Sequence, residues 1–310
     1  MTPFMKYAGG KRKLAPAVLA RLPDPREIRL YVEPFVGGGA VFLALREAGY
    51  TGPAVLNDAS PIIVAVWQAV QLDPEGVLRA FNTFADRHSQ EMYYAIRAAP
   101  PVPVAVWLEL AQSVDQNSAR RGDCAALAGW FLYLNKAGFN GLWRVNRAGL
   151  PNVPIGDYKH PPRLDEAAVR AAHEALRGVT VTCGDFAAVL LPERSTLDGR
   201  LDRCSVYCDP PYLPTSSTAS FTAYTQGGFG ARDQLRLAHW CRGVADQGAR
   251  VVLSNAGIGD SRTAFARLAD REEQVEMARA INSKGSARGK VPEYLFTYSC
   301  SPRWGRMETA

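Results

Sequence analysis

Residues 207 to 212 read YCDPPY and directly follow the apolar stretch CSV. Proline has no amide hydrogen and fixes its own φ, so Pro210 and Pro211 end a strand and hold the chain extended as it leaves the sheet. Asp209 and Tyr212 are therefore presented in a preset geometry. A carboxylate, a main-chain carbonyl and an aromatic face could converge there on one small flat group, although a plain strand-ending turn would have the same sequence.

This arrangement suits a reaction at the exocyclic amine of a nucleobase. The lone pair of that amine is delocalised into the ring, so acceptors on both N–H bonds are needed to localise it and to take up positive charge as a methyl group arrives. The carboxylate of Asp209 and the carbonyl of Pro210 could be those acceptors. Tyr212 could stack on a base that is flipped out of its duplex.

A glycine-rich turn in EPFVGGGAVF could hold a cofactor. Gly37 and Gly39 allow the backbone to turn tightly and to approach a ligand, with the amides of a following helix pointing at it. Phe42 stands where the dinucleotide fingerprint has its last glycine, so a cofactor packed against the turn is favoured over a pyrophosphate. Asp58, about 20 residues further on, could accept hydrogen bonds from ribose hydroxyls. A simple turn and helix cap is the alternative.

Asp185 and Phe186 end a third strand-like run and could bind the edge and the face of an adenine base. A helix N-cap followed by a core phenylalanine is the alternative interpretation. In open α/β sheets ligands lie beyond the carboxyl ends of the strands, so these strand ends are expected to converge with Asp58 and Asp209 on one crevice.

The order of elements predicts a doubly wound, Rossmann-like α/β sheet. A strand, a glycine turn, a helix ended by Gly49 and a second strand at 54–58 form its opening unit. Residues 61–134 are mostly helical in pattern, and 135–163 predict a long functional loop or irregular subdomain. We therefore expect a catalytic domain in two parts, 1–60 and 165–310, interrupted by a mainly helical insertion at 61–164. The later elements are predicted as strands near 179–186, 204–209 and 249–255, helices near 232–248 and 261–270, and a closing pair of strands at 273–281 and 293–300.

The composition is that of a globular protein with a modest excess of positive charge. The 310 residues are 47% hydrophobic, enough for a large core, and the formal charge of +6 favours a polyanionic partner. No apolar run approaches the roughly 20 residues of a membrane span, and the N-terminus lacks the apolar core of a signal peptide, so we expect a cytoplasmic protein without membrane contact. The six cysteines and four histidines show no ligand spacing, so we expect no metal site. No serine-hydrolase elbow, lysine-bearing phosphate loop or zinc deaminase signature is present.

With these pieces in place, the chain resembles the Dam-type (D12 class, alpha group) DNA adenine N6-methyltransferases over most of its length. Eight motifs occur in family order: KYAGGK (6–11), VEPFVGGGAVF (32–42), ND (57–58), FNGLWRVNRAGLPNVPIGDYK (139–159), VYCDPPY (206–212), TASFTAY (218–224), LSN (253–255) and NSKGSARGKVPEYL (282–295). The resemblance implies a sheet domain that binds S-adenosylmethionine, an inserted DNA-recognition domain, and methylation of adenine in duplex DNA at GATC. Whether a restriction endonuclease accompanies the enzyme is left open.

The resemblance also assigns site residues. Contacts to the cofactor are implied for Tyr7, Lys11, Phe35, Gly37, Gly39, Asp58, Asp185, Phe186 and Asp209, and the catalytic group is Asp209, Pro210, Pro211 and Tyr212. Contacts to DNA are implied for Lys6, Phe139, Asn140, Leu142, Arg144, Asn146, Pro154 and Tyr158, and phosphate contacts are expected of Lys284, Arg288 and Lys290. Tyr7 departs from the family by standing where relatives often have tryptophan, and Asp157 occupies a commonly basic position.

The chemistry of these DNA residues is compatible with sequence recognition. Arg144 or Lys6 could donate to guanine, Leu142 and Pro154 could touch a thymine methyl group, and Phe139 could wedge into the base stack. Two alternatives stay open at this point. The same chemistry could act on another DNA site, RNA adenine, cytosine N4 or a protein amide, or the chain could be a sequence-specific DNA-binding protein with a vestigial cofactor site.

Overall fold

The computed structural model describes residues 1–7, 9–113, 120–160, 162–189, 201–212, 229–256, 260–278 and 290–300. Among these, seven strands form a single sheet in the order β3-β2-β1-β4-β5-β7-β6. The strands are β1 (Leu30–Glu33), β2 (Ala54–Asp58), β3 (Val179–Cys183), β4 (Cys204–Cys208), β5 (Arg250–Asn255), β6 (Arg271–Ala278) and β7 (Lys290–Tyr298). The first five strands in the sheet order are parallel, whereas β7 is antiparallel to both β5 and β6. This topology confirms the predicted Rossmann-like α/β fold.

Helices cover the sheet and fill the segment between β2 and β3. They are α1 (Ala15–Leu19), α2 (Ala40–Glu47), α3 (Pro61–Leu72), α4 (Pro74–Ala85), α5 (Gln90–Ala98), α6 (Trp107–Ser113), α7 (Arg121–Ala137), α8 (Glu166–Ala175), α9 (Ala231–Asp246) and α10 (Asp260–Leu268). Strands β1 and β4 are buried at every position, as parallel strands covered on both faces are.

Most element boundaries fall within a few residues of the predicted ones. The third strand is shorter than expected, since β3 ends at Cys183 and not at residue 186. The cause is local: the Asp185 side chain accepts a hydrogen bond from the Ala187 amide and starts a short 3-10 turn at Phe186–Ala188. The loop that joins β6 to β7 falls at 279–289, outside the described residues.

Helix α3 belongs to the predicted insertion but packs on the sheet. Every residue from Ile62 to Val70 is buried, because one face of the helix contacts β2 and β3 and another contacts α7. The side chains of Trp67 and Tyr31 therefore belong to one hydrophobic cluster. The predicted boundary at residue 61 falls inside this continuous core, and the division into 1–60, 61–164 and 165–310 stays a prediction.

The remaining sequence expectations concern cysteines and membranes. Cys204 and Cys208 are both buried on β4, where a spacing of four residues puts them on the same face of the strand. None of the helices among the described residues is long and apolar enough to cross a bilayer.

We predict that Gly39→Ala destabilises the protein more than the matched change Gly178→Ala. Both glycines adopt a left-handed φ, 63° and 69°, so both substitutions carry a backbone cost of about 1–2 kcal/mol. A Cβ at residue 39 would lie 2.4 Å from a ring carbon of Trp67, whereas at residue 178 it would meet nothing within 4 Å. Overpacking adds about 1–3 kcal/mol. Urea denaturation measures the two free energies of unfolding, and equal losses would contradict this packing.

Candidate active site

A cavity of about 320 Å³ lies at the carboxyl ends of β1, β2 and β4. Residues from four of the predicted motifs line it: Tyr7, Lys11, Phe35, Gly37, Gly39, Asp58, Asp209, Pro210, Pro211 and Tyr212. The structure therefore brings the glycine turn, the acid after β2 and the DPPY segment together in one crevice, as the strand order requires.

The glycine turn is held closed by Asp58. One carboxylate oxygen of Asp58 accepts from the Gly37 amide at 3.0 Å and the other from the Ser60 amide at 2.9 Å. Burial raises the pKa of Asp58 to about 6, although these backbone hydrogen bonds oppose the shift. Each oxygen still has a second lone pair, so Asp58 can anchor the turn and also accept from a ligand hydroxyl.

The turn also requires glycine. Gly37 has a φ of 44°, and a Cβ there would lie 2.6 Å from the ring of Tyr7. The Tyr7 ring therefore packs directly against the turn, and it also lines the cavity.

Asp209 is the centre of a polar cluster at the carboxyl end of β4. Its Oδ1 atom lies 2.9 Å from Lys11 Nζ, and it accepts from the Ser254 hydroxyl at 3.1 Å and the Tyr212 hydroxyl at 3.3 Å. The Tyr207 and Ser254 hydroxyls lie 2.8 Å apart, which extends the network into the sheet. The carboxylate is thus held by three side chains, from the N-terminal segment, from β5 and from the DPPY segment itself.

Lys11 lies between two carboxylates. Its Nζ atom is 2.9 Å from Asp209 and 3.5 Å from Glu293, and it sits 4.6 Å from the centre of the Tyr212 ring. Burial alone would lower the pKa of Lys11, but the two carboxylates outweigh that effect and raise the pKa. Lys11 is therefore a charged ammonium.

Three acids and hydroxyls of this cluster were missed by sequence reasoning: Glu33, Ser254 and Glu293. Glu33 is the last residue of β1 and lies inside the glycine motif, so its place at a strand end was a usable signal. Ser254 lies on β5, which its parallel pairing with β4 brings beside Asp209. Glu293 lies on β7, which reaches the crevice through its antiparallel pairing with β5.

Glu33 is the most deeply buried of these acids. It is 2% exposed, lines the cavity and accepts from the Tyr31 hydroxyl at 2.8 Å. Burial raises the pKa of Glu33 to about 8, and the nearby charge of Asp209 adds to the effect. The group therefore carries its proton at neutral pH.

Asp185 and Phe186 lie beside the cavity and do not line it. Asp185 makes an ion pair with Arg236 at 2.6 Å, and this hydrogen-bonded partner lowers its pKa. Phe186 is 2% exposed, with its ring 5.6 Å from that of Phe35. This geometry matches the alternative interpretation of the pair, a cap followed by a core phenylalanine, and their predicted contacts to a cofactor stay predictions.

The predicted DNA residues lie on an irregular hairpin after α7. Bridges at Gly138–Ile155 and Val145–Pro151 close it. The aromatic rings of Phe139 and Tyr158 are 46% and 43% exposed, which is unusual for side chains of this size. Asn140 adopts a φ of 54°, and Leu142 and Pro154 are at least partly exposed on the same hairpin.

Asn135 joins this hairpin to the N-terminal segment. It is 1% exposed, its Oδ1 accepts from the Lys6 amide at 2.8 Å, and its Nδ2 donates to the carbonyls of Lys6 at 2.8 Å and Gly141 at 3.0 Å. Lys6 Nζ in turn donates to the Tyr158 hydroxyl at 3.2 Å. Asn135 was not singled out from the sequence, because a buried asparagine in a helix gives no sign of its distant partners.

The hairpin fixes two of its polar side chains. Arg144 Nε donates to Asn152 Oδ1 at 2.7 Å, which orients the guanidinium. The Asn146 side chain accepts from the amides of Ala148 and Leu150 and so shapes the tip.

Some of the residues predicted to contact DNA lie wholly or partly outside the described residues. Lys284 and Arg288 lie outside the described residues, as does the TASFTAY motif at 218–224, and of Lys290 only the backbone at the start of β7 is described. Within the described part of the chain, no three histidine, cysteine or acidic side chains cluster as a metal site would require.

The family model for D12 class N6 adenine-specific DNA methyltransferases matches residues 7–281. The chain belongs to this family. It is therefore an adenine-specific DNA methyltransferase, and the resemblance described from its motifs is confirmed.

Named relatives agree over nearly the whole chain. The DNA adenine methylase of Escherichia coli K12 is 33% identical, covering 95% of this chain and 94% of the relative. The DNA adenine methylase of Vibrio cholerae is 31% identical, with 96% and 95% covered. The type II methyltransferase M.MjaIII of Methanocaldococcus jannaschii is 32% identical, with 92% and 94% covered.

We predict that Glu33→Gln flattens the dependence of stability on pH. The native pKa of about 8 lies above the ordinary value of 4.5. The contribution of this carboxyl to the free energy of unfolding is therefore complete below pH 4.5, and it is lost as the pH rises through about 8. The slope from one such group is at most about 1.4 kcal/mol per pH unit.

Urea denaturation between about pH 5 and pH 8 tests this effect. The wild type should lose stability relative to Glu33→Gln as pH rises, while a control change at the exposed Glu27 should run parallel to the wild type. Parallel curves for wild type and Glu33→Gln would show that Glu33 does not hold a proton in the native state.

Proposed function

We propose that this enzyme transfers a methyl group from S-adenosylmethionine to N6 of adenine in duplex DNA, at GATC. The observation that carries the proposal is the shared crevice: Asp209, Pro210 and Tyr212 line the same cavity as the Gly37 turn and Asp58. A cofactor seated on the turn would thus present its reactive end to the DPPY segment.

The residues present fit this cofactor. A cavity of about 320 Å³ falls in the size range of small-molecule sites. Asp58 offers acceptors for hydroxyl groups, Phe35 and Tyr7 offer aromatic faces, and the glycines expose main chain without side chains in between. When bound, S-adenosylmethionine would supply an electrophilic methyl group on a positively charged sulfur.

The chemistry of the chain is activation of a weak nucleophile. The Asp209 carboxylate and the Pro210 carbonyl would accept hydrogen bonds from the two N–H groups of the target amine. These hydrogen bonds localise the nitrogen lone pair and stabilise the positive charge that develops on nitrogen. The network of Ser254 and Tyr212 holds the carboxylate in place before the substrate arrives, so little reorganisation is needed during the reaction. The Tyr212 ring would lie against the flipped base.

Sequence recognition is assigned to the hairpin and to Lys6. Arg144 and Lys6 would donate to guanine, Leu142 and Pro154 would contact a thymine methyl group, and Phe139 would wedge into the stack. Exposure of Phe139 and the fixed orientation of Arg144 by Asn152 support these roles. Asn140, Asn146 and Tyr158 would also bind DNA, and Lys284, Arg288 and Lys290 would contact its phosphates.

A restriction endonuclease partner is also proposed, because two relatives are named type II methyltransferases. Adjacent genes in the source genome test this point directly.

We predict that Asp209→Asn lowers the rate of methyl transfer at least about 100-fold, because an amide oxygen stabilises a developing positive charge far less than a carboxylate does. The measurement is transfer of labelled methyl groups from S-adenosylmethionine to an unmethylated GATC duplex, followed by nucleoside analysis of the product. Asp202→Asn, an exposed aspartate just before the other end of β4, is the matched control and should keep wild-type activity. Wild-type transfer to cytosine, or to no DNA at all, would refute the proposed function.

We predict that Arg144→Lys relaxes discrimination against duplexes in which the guanine of GATC is replaced. A bidentate contact from arginine to guanine is worth about 1–3 kcal/mol of discrimination. Lysine carries all its donors on one flexible nitrogen and cannot reproduce the rigid planar fork of the guanidinium. Asn152→Ala should cause a smaller loss in the same direction, because it removes one of the contacts that orient the guanidinium.

Arg147→Lys, at an exposed position of the same hairpin, is the control and should leave the ratio of cognate to substituted rates unchanged. If Arg144→Lys slows both duplexes equally, Arg144 binds phosphate and does not select the base.

A further inference from the structure

Glu293 on β7 is a buried acid that the proposed reaction does not use. Its side chain is 12% exposed, it lies 3.5 Å from Lys11 Nζ, and it accepts a hydrogen bond from the Tyr212 hydroxyl. Burial raises the pKa of Glu293, while the neighbouring Lys11 opposes that shift. A second carboxylate this close to Asp209 is unfavourable unless a positively charged group lies beside it.

The position of Lys11 creates a conflict with the proposed reaction. Its ammonium lies 2.9 Å from Asp209 Oδ1, the carboxylate that the target amine would need. The Lys11 side chain is only 11% exposed, so an ammonium that simply left Asp209 would become an unpaired charge inside the protein. A second counter-ion within reach removes this obstacle.

We propose, on the basis of the function proposed above, that Glu293 is a positioning residue for methyl transfer. Its carboxylate is the alternative counter-ion toward which Lys11 shifts when the target amine takes its place at Asp209. The shift is short, because Lys11 already lies between the two acids, and the single Tyr212 hydroxyl hydrogen is within reach of both. Asp209 thus stays ordered by Lys11 before DNA binds and becomes available afterwards.

The same arrangement has a consequence for the cofactor. The groups that face Glu293 are Lys11 from the N-terminal segment, Tyr207 from β4, and Asp209 and Tyr212 after it. With Lys11 protonated and both acids ionised, the cluster carries one net negative charge. That charge favours a positively charged sulfonium over the neutral thioether that remains after transfer.

Two substitutions at Glu293 separate charge from shape. Glu293→Gln keeps the size and the hydrogen-bonding capacity of the side chain but removes its charge, whereas Glu293→Asp keeps the charge and shortens the side chain. If Glu293 is the counter-ion for Lys11, the single-turnover rate at saturating DNA and cofactor falls at least about 10-fold in the Gln variant, and the Asp variant retains more activity than Gln. If Glu293 only fills space or orients Tyr212, Gln is the better replacement, and that order overturns the proposal.

Calorimetry gives a second readout that does not depend on turnover. The ratio of the affinity for S-adenosylmethionine to that for S-adenosylhomocysteine should fall at least about threefold in Glu293→Gln, with the affinity for S-adenosylhomocysteine nearly unchanged. Glu276→Gln, an exposed acid on the adjacent strand β6, is the control and should match the wild type. Equal loss of affinity for both ligands would show local disruption and would also overturn the proposal.

The outcomes for the two proposals are distinct. If the wild type transfers no methyl group to adenine, the proposed function fails. If the wild type is active and Glu293→Gln matches it in rate and in the affinity ratio, the proposed function stands and only the role of Glu293 is refuted.

Discussion

The ion pair between Asp209 and Lys11 is the interaction on which the rest of the site depends. Asp209 follows β4, Lys11 precedes α1, and they meet at 2.9 Å only because the sheet order places β4 beside β1 and the N-terminal segment folds over both. Hydroxyls from Ser254 and Tyr212 complete the surroundings of the carboxylate. A weak nucleophile can be activated at such a carboxylate because its geometry is set before any substrate binds.

The segment predicted to read DNA is tied to the catalytic sheet through buried contacts. Trp67 of α3 donates its Nε1 hydrogen to the Gly37 carbonyl at 2.9 Å, so the insertion supports the glycine turn directly. Asn135 connects the end of α7 to the N-terminal segment that carries Lys6. If the hairpin moved when DNA bound, the glycine turn and the N-terminal segment would therefore move with it, since a close-packed interior transmits strain.

The sequence was enough to predict the elements that carry the site. Strand ends marked by Asp58 and by the prolines after Asp209 are local signals, and the rule for parallel sheets brings them together without further information. The contact of Ser254 with Asp209 follows from the parallel pairing of β4 and β5, and the same rule could have found it. The approach of Glu293 to Lys11 could not be predicted in this way, because it depends on how the antiparallel strand β7 is aligned in the sheet. The ion pair of Asp185 with Arg236 was also out of reach, because nothing in the local pattern of Asp185 indicates a partner some fifty residues away.

A crystal structure of the protein with a GATC duplex and a non-reactive analogue of the cofactor tests the central claim most directly. The account predicts a flipped adenine whose N6 amine lies within hydrogen-bonding distance of both the Asp209 carboxylate and the Pro210 carbonyl, with the analogue on the Gly37 turn. An adenine that stays stacked in the duplex, or a flipped base whose amine points away from an Asp209 still paired with Lys11, would contradict it.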